Sequence, residues 1–151
     1  MKAHTFKTPE NHATDFYYFD NGFDSVELEK ISKMVGELPF YNATTAAGEI
    51  DSRKSKLKWI PQTEEWDWLY EKLMMFAETA NNEMWNFDLI SAPENIQYTE
   101  YHGTNMGEYG WHQDIGPNEL SARKVSITVQ LSDDTEYEGG ELLFWMGGNS
   151  L

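Results

Sequence analysis

Hydrophobic positions along this chain follow two rhythms. From Asp24 to about Trp85 they recur at helical spacing, and from Phe87 onward they alternate with polar residues. Val26, Leu28, Ile31, Met34 and Val35 make one helical face; Asp24 with Glu27 has capping-box spacing, and Gly36 and Pro39 stop the helix. A longer helix is predicted over about 64–85, with Trp66, Leu69, Tyr70, Leu73, Phe76, Ala77, Ala80 and Met84 on its apolar face. Thr63 is its expected N-cap, and Asn81 and Asn82 weaken its end. Residues 15–23, 41–46 and 56–60 read as extended, and 48–52 as a turn.

Five strands are predicted after Trp85, over 87–90, 96–102, 109–114, 124–132 and 141–146. Turn-rich pieces (SAPEN, GTNMGE, GPNELS, DDTEYEGG) separate them. Helices first and antiparallel-looking strands afterwards suggest a sandwich or barrel with helices packed on one side. Val125, Ile127, Val129 and Leu131 form an apolar strand face, and Ser126, Thr128, Gln130 and Ser132 a polar one. That polar face suits either open water or the lining of a polar cavity.

Composition narrows the picture. The 151 residues suffice for a single domain, and 40% hydrophobic content with six Trp, eight Tyr and eight Phe marks a folding sequence. There is no cysteine, which removes disulfides, thiolate metal sites and thiol nucleophiles. A formal charge of −15 argues against tracking of phosphate backbones, so no nucleic-acid partner is expected. The one basic cluster, Arg53, Lys54, Lys56 and Lys58, fits a solvated strand face. No apolar run is long enough to span a membrane and no secretory signal is evident, so the expectation is a cytoplasmic protein without a membrane partner.

The segment Tyr109-Gly-Trp-His-Gln-Asp114 carries the candidate chemistry. In a strand, positions i and i+2 share a face, so His112 and Asp114 project together and offer an imidazole nitrogen and a carboxylate oxygen to one small cation. A further imidazole would complete the facial triad of a non-heme Fe(II) centre. Taken alone, H-x-D also describes a surface His and Asp near a turn.

The ordered set Gln97-Tyr-Thr-Glu-Tyr101, Gly107-Glu-Tyr109, Trp111-His-Gln-Asp114, Arg123-Lys-Val-Ser126, Leu131-Ser132 and Tyr137-Glu-Gly-Gly-Glu-Leu142 resembles the 2-oxoglutarate/Fe(II)-dependent dioxygenases, in particular the prolyl-4-hydroxylase-like group. The resemblance is strong over about 95–146. It implies an α+β chain: a double-stranded β-helix (a jelly-roll, cupin-like barrel), here incomplete, with N-terminal supporting helices. Residues 1–151 would be a single domain, with helical support over about 1–90 and a partial barrel over about 91–151.

The implied activity is hydroxylation of a substrate coupled to decarboxylation of 2-oxoglutarate, with Fe(II) as metal, 2-oxoglutarate as cosubstrate and ascorbate as a candidate accessory cofactor. The substrate class is open; a prolyl or other amino-acid residue in a peptide and a small molecule both fit. His112 and Asp114 match iron ligands, and Tyr101, Thr128 and Gln130 match positions near the cosubstrate. Tyr109 and Leu142 match cavity-lining positions, for which ordinary packing is the alternative; exposure to water is the alternative for Gln130.

The group's third iron ligand, a late histidine, and the Arg or Lys that follows it are not present in this chain. His4, His12 and His102 do not match that position. An eight-stranded jelly roll would need roughly four more strands, ~40 residues. The expectation is therefore a piece of a longer reading frame, lacking the late barrel strands. A non-catalytic jelly-roll module for binding or assembly is the competing reading, since a fold can outlive its chemistry. A hydrolase built on paired carboxylates is disfavoured, because Asp133-Asp134 and Glu64-Glu65 look like turn and helix-start residues.

Overall fold

Asp24 begins the first helix. Its carboxylate accepts from the Glu27 backbone N–H (2.9 Å), and the Glu27 carboxylate accepts from the Asp24 backbone N–H (2.9 Å). Two otherwise orphaned donors are satisfied reciprocally. Helix α1, Ser25–Gly36, then buries Ile31 and Val35. In this computed structural model, residues 15–42, 55–146 and 149–150 are described. The expected turn at 48–52 and the candidates His4 and His12 lie outside them.

Helix α2, Asp67–Met84, is entered through a 3-10 turn, Glu64–Trp66. Thr63 precedes that turn and makes no side-chain cap; its carbonyl accepts from Trp66 N–H (2.8 Å) instead. Leu69, Leu73, Ala77 and Ala80 lie on the buried face. The far end of α2 is closed by Asn81, which is itself buried. Its side-chain amide donates to Phe87 O (2.9 Å), and its side-chain oxygen accepts from Phe87 N–H (2.8 Å). Asn86, at φ 54°, turns the chain out of the helix in the left-handed region, which asparagine tolerates. The two asparagines thus build the terminus that weak helix propensity alone would only fray.

Strands β1 (Tyr41–Asn42), β2 (Lys56–Ile60) and β3 (Ile96–Glu100) form an antiparallel sheet in that order. The β2–β3 register pairs Lys58 with Tyr98 and Ile60 with Ile96. Ile31, Val35, Ile60, Trp66, Leu69 and Leu73 make one buried cluster between the helices and the sheet. Lys72 tethers the helices: its ammonium donates to both Glu27 carboxylate oxygens (2.6 and 2.5 Å) and lies 4.6 Å from the centre of the Phe23 ring.

Lys58 departs from the expected solvated face. It shares the core side of β2 with Ile60 and is only 4% exposed. Its ammonium donates to Val35 O (2.8 Å), at the carbonyl end of α1, and sits over the Phe40 ring (4.1 Å). A cation at a helix C-terminus answers the orphaned carbonyls and the helix dipole, so a position that alternation assigns to water is buried instead. Lys56 is exposed, as expected.

The segments 109–114, 124–132 and 141–144 form no ladder among the described residues, although Tyr109 occupies a single bridge position. An extended segment becomes a strand only beside a partner that takes its hydrogen bonds. The alternation of 124–131 is still visible in burial: Val125, Val129 and Leu131 are half-buried while Ser126, Thr128 and Gln130 are exposed. Val129 and Leu131 pack on the core cluster. Ile127, at 41% exposure, does not share that cover. A short hairpin, β4 (Trp145–Met146) with β5 (Asn149–Ser150), is the remaining sheet among the described residues. None of the described helices is long and apolar enough to cross a membrane.

Candidate functional site

β3 delivers the chain to Tyr101, after which a 3-10 turn, Gly103–Asn105, and Met106 at φ 50° redirect it toward residues 107–114. His112 and Asp114 face each other there, with His112 Nε2 3.2 Å from Asp114 Oδ1. His112 Nδ1 lies 2.8 Å from Gly110 O. A carbonyl only accepts, so Nδ1 carries a proton and Nε2 is turned to the carboxylate. Tyr109 stacks on the imidazole, with ring centres 3.7 Å apart and planes inclined by 20°. Ring orientation is therefore set from the edge and from the face.

The pair is open to solvent, at 38% and 52% side-chain exposure. Beside it runs an open groove of about 490 Å³ lined by Trp111, His112, Gln113, Leu143, Phe144 and Trp145. Trp111 meets Trp145 edge-on at 5.8 Å, and Phe16 stacks on Phe144 at 5.5 Å. Gly139 and Gly140, both at φ +76°, form the turn that leads into the wall at 141–145; a side chain would be strained at either.

Asp114 is also held through its main chain. Its carbonyl accepts from Arg123 Nη1 (2.7 Å), across the loop that 3-10 turn Asn118–Ala122 closes. Arg123 Nε donates to Glu94 Oε1 (3.0 Å) and Nη2 to Glu94 Oε2. The Glu94 hydrogen bond holds the guanidinium pKa above its ordinary value.

The structure thus brings His112, Asp114 and Tyr109 together. Tyr101 is 47% exposed at the end of β3. Thr128 and Gln130 lie on the exposed side of their segment, and Leu142 is 61% exposed next to the groove wall. Among the described residues, none of these four makes a side-chain hydrogen bond or ring contact to the pair. No group of three or more His, Asp or Glu that could hold a metal occurs among the described residues. His102 pairs with Glu100 at 3.2 Å instead.

Sequence reasoning missed two features. Trp111 and Gln113 line the groove together with His112, because an unpaired segment does not hold strict two-residue alternation. Arg123 stood within a quoted motif, but nothing local showed that Glu94, 29 positions earlier, would meet it.

The donor geometry fits a divalent cation. Two ligands at right angles, each about 2.1 Å from a first-row metal, stand about 3 Å apart. The Nε2–Oδ1 separation of 3.2 Å is close to that bite, and is also that of an ion pair when His112 is protonated. A ligating histidine commonly donates its other N–H to a carbonyl, as Nδ1 does here to Gly110.

No protein-family model matches the chain, and no solved structure matches it. A PKHD-type hydroxylase of Synechococcus sp. (strain CC9605) is 27% identical over 112 residues, which cover 74% of this chain and 49% of that protein. The chain therefore spans about half the length of the curated relative it matches. The relative's name fits the prolyl-4-hydroxylase-like resemblance and points to a hydroxylase at the family level.

Proposed function

We propose that this chain supplies His112 and Asp114 as two ligands of the metal in an Fe(II)- and 2-oxoglutarate-dependent hydroxylase, built on a double-stranded β-helix. One observation carries the reading. Nε2 of an imidazole whose Nδ1–H is already committed to a carbonyl stands 3.2 Å from a carboxylate oxygen. A proton on Nε2 makes this contact an ion pair, and a divalent cation held between the two donor atoms would take the place of that proton. The hydroxylase name of the distant relative supports the same class.

Iron with 2-oxoglutarate would supply the oxidising power for hydroxylation, while the protein supplies geometry and a shaped cavity. Gly110 O leaves Nε2 as the His112 nitrogen that would hold a metal, and Tyr109 restrains the ring plane. The aromatic groove beside the pair offers an apolar surface on which a substrate would rest. Tyr101, Thr128 and Gln130 are proposed to meet the cosubstrate, and Tyr109 and Leu142 to line the cavity. A third ligand, and a cation for the far carboxylate of 2-oxoglutarate, are proposed to come from outside these 151 residues. Two ligands alone bind weakly, because affinity grows with ligand number and geometry.

The test is iron-dependent release of succinate from 2-oxoglutarate by the natural gene product. His112→Ala and Asp114→Ala should each abolish it. Each should also weaken Co(II) binding at least about 100-fold, the upper end of what outer-shell changes cost. A well-folded protein that releases no succinate with iron and 2-oxoglutarate sinks the reading in favour of a binding module.

A further inference from the structure

Arg123 has no part in the chemistry above, yet the His112–Asp114 segment reaches the folded scaffold through it. The guanidinium holds the Glu94 carboxylate with two donors and the Asp114 carbonyl with a third. Glu94 is anchored in turn. The Gln62 side-chain amide, two positions after β2, donates to Ala92 O and Glu94 O, each at 3.0 Å. On the same scaffold, the Tyr70 hydroxyl of α2 donates to Ile60 O (2.6 Å) and accepts from Ile96 N–H (3.0 Å), which fixes the start of β3. A polar path therefore runs from the packed helices and sheet to the backbone of one metal-binding residue. Arginine suits this junction because its rigid fork presents several donors in one plane; lysine is a single point charge on a flexible stem.

We propose that Glu94 and Arg123 form a strut that positions Asp114, and with it His112, for metal binding. The proposal rests on the reading of that pair as metal ligands. Neither strut residue touches metal or substrate; both act through the Asp114 main chain. The Arg123 and Glu94 side chains are 35% and 47% exposed, and an ion pair that open adds little to global stability. Positioning and general stabilisation are therefore separable.

The experiment compares Arg123→Lys, Glu94→Gln and the unaltered natural gene product by Co(II) titration, thermal melting and backbone ¹⁵N relaxation. The expected result is a 10- to 100-fold rise in the Co(II) Kd, as for other outer-shell changes. Order parameters at 111–115 should fall from the rigid range near 0.85 toward 0.6. The melting temperature should move by less than about 4 °C. Unchanged order parameters in both variants overturn the strut, and so does equal loosening of α2. His112→Ala separates the two layers of the argument. If it binds Co(II) as well as the unaltered protein, the metal reading fails, and with it the strut's purpose. The relaxation data still decide whether the strut holds the segment.

Discussion

The helix-and-sheet unit and the segment that follows it are held by different forces. All buried residues among those described lie between Ile31 and Asn81. Beyond Asn81 the chain is exposed or half-covered; Val129 and Leu131 lean on the core, and Arg123 and Glu94 make a polar attachment. The first region is ordered by removing apolar surface from water, which is strong and non-directional. The second is ordered by a few directional contacts. Those contacts add little stability, but they decide where the His112 and Asp114 donor atoms point. Stability and candidate chemistry are thus divided along the chain.

Substitutions can break that contrast. Trp66→Ala removes a 2%-exposed side chain from the centre of the cluster and should cost about 3–5 kcal/mol, measured by denaturant unfolding. Its counterpart, Ile127→Ala in the second region, should stay within about 0.5 kcal/mol. Equal costs would erase the distinction between the regions.

Lys58→Met keeps most of the side-chain volume and removes the ammonium donor to Val35 O, which keeps the Leu38 backbone N–H (3.0 Å), so about 0.5–1.5 kcal/mol should be lost. A neutral outcome would mean that the Leu38 backbone N–H alone satisfies Val35 O. Asp24→Ala deletes the capping box and should cost about 0.5–2 kcal/mol, read from the same unfolding curves.

The smallest effect is a pH dependence. The Lys72 hydrogen bond, and after it the Asp24 backbone N–H, hold the Glu27 pKa below its ordinary 4.5. A carboxylate depressed in the folded state stabilises above its unfolded value, and that contribution fades as pH falls through the folded one. Stability should therefore slip below about pH 4.5, and Glu27→Gln should flatten that acid limb. An acid limb of unchanged slope in the variant would assign the loss to other carboxylates.

Much of the first region was legible because its signals are local. The Asp24–Glu27 spacing specifies a cap within four residues, and the apolar period of α2 specifies its buried face. The strand at 56–60 was legible too, but the side to which Lys58 turned was not, because the attraction comes from the end of α1. In the second region, alternation over 124–131 anticipated which side chains would be half-covered. It did not specify a ladder, since pairing belongs to two segments at once.

The sequence by itself determined the two helices, the capping box of α1 and the apolar face of α2, because each depends on neighbours within a turn or on helical spacing. Only the tertiary structure decided that Lys58 is buried, that Tyr109 stacks on His112 and that Glu94 reaches Arg123. Those outcomes depend on where distant backbone carbonyls, rings and charges come to rest once the core has formed.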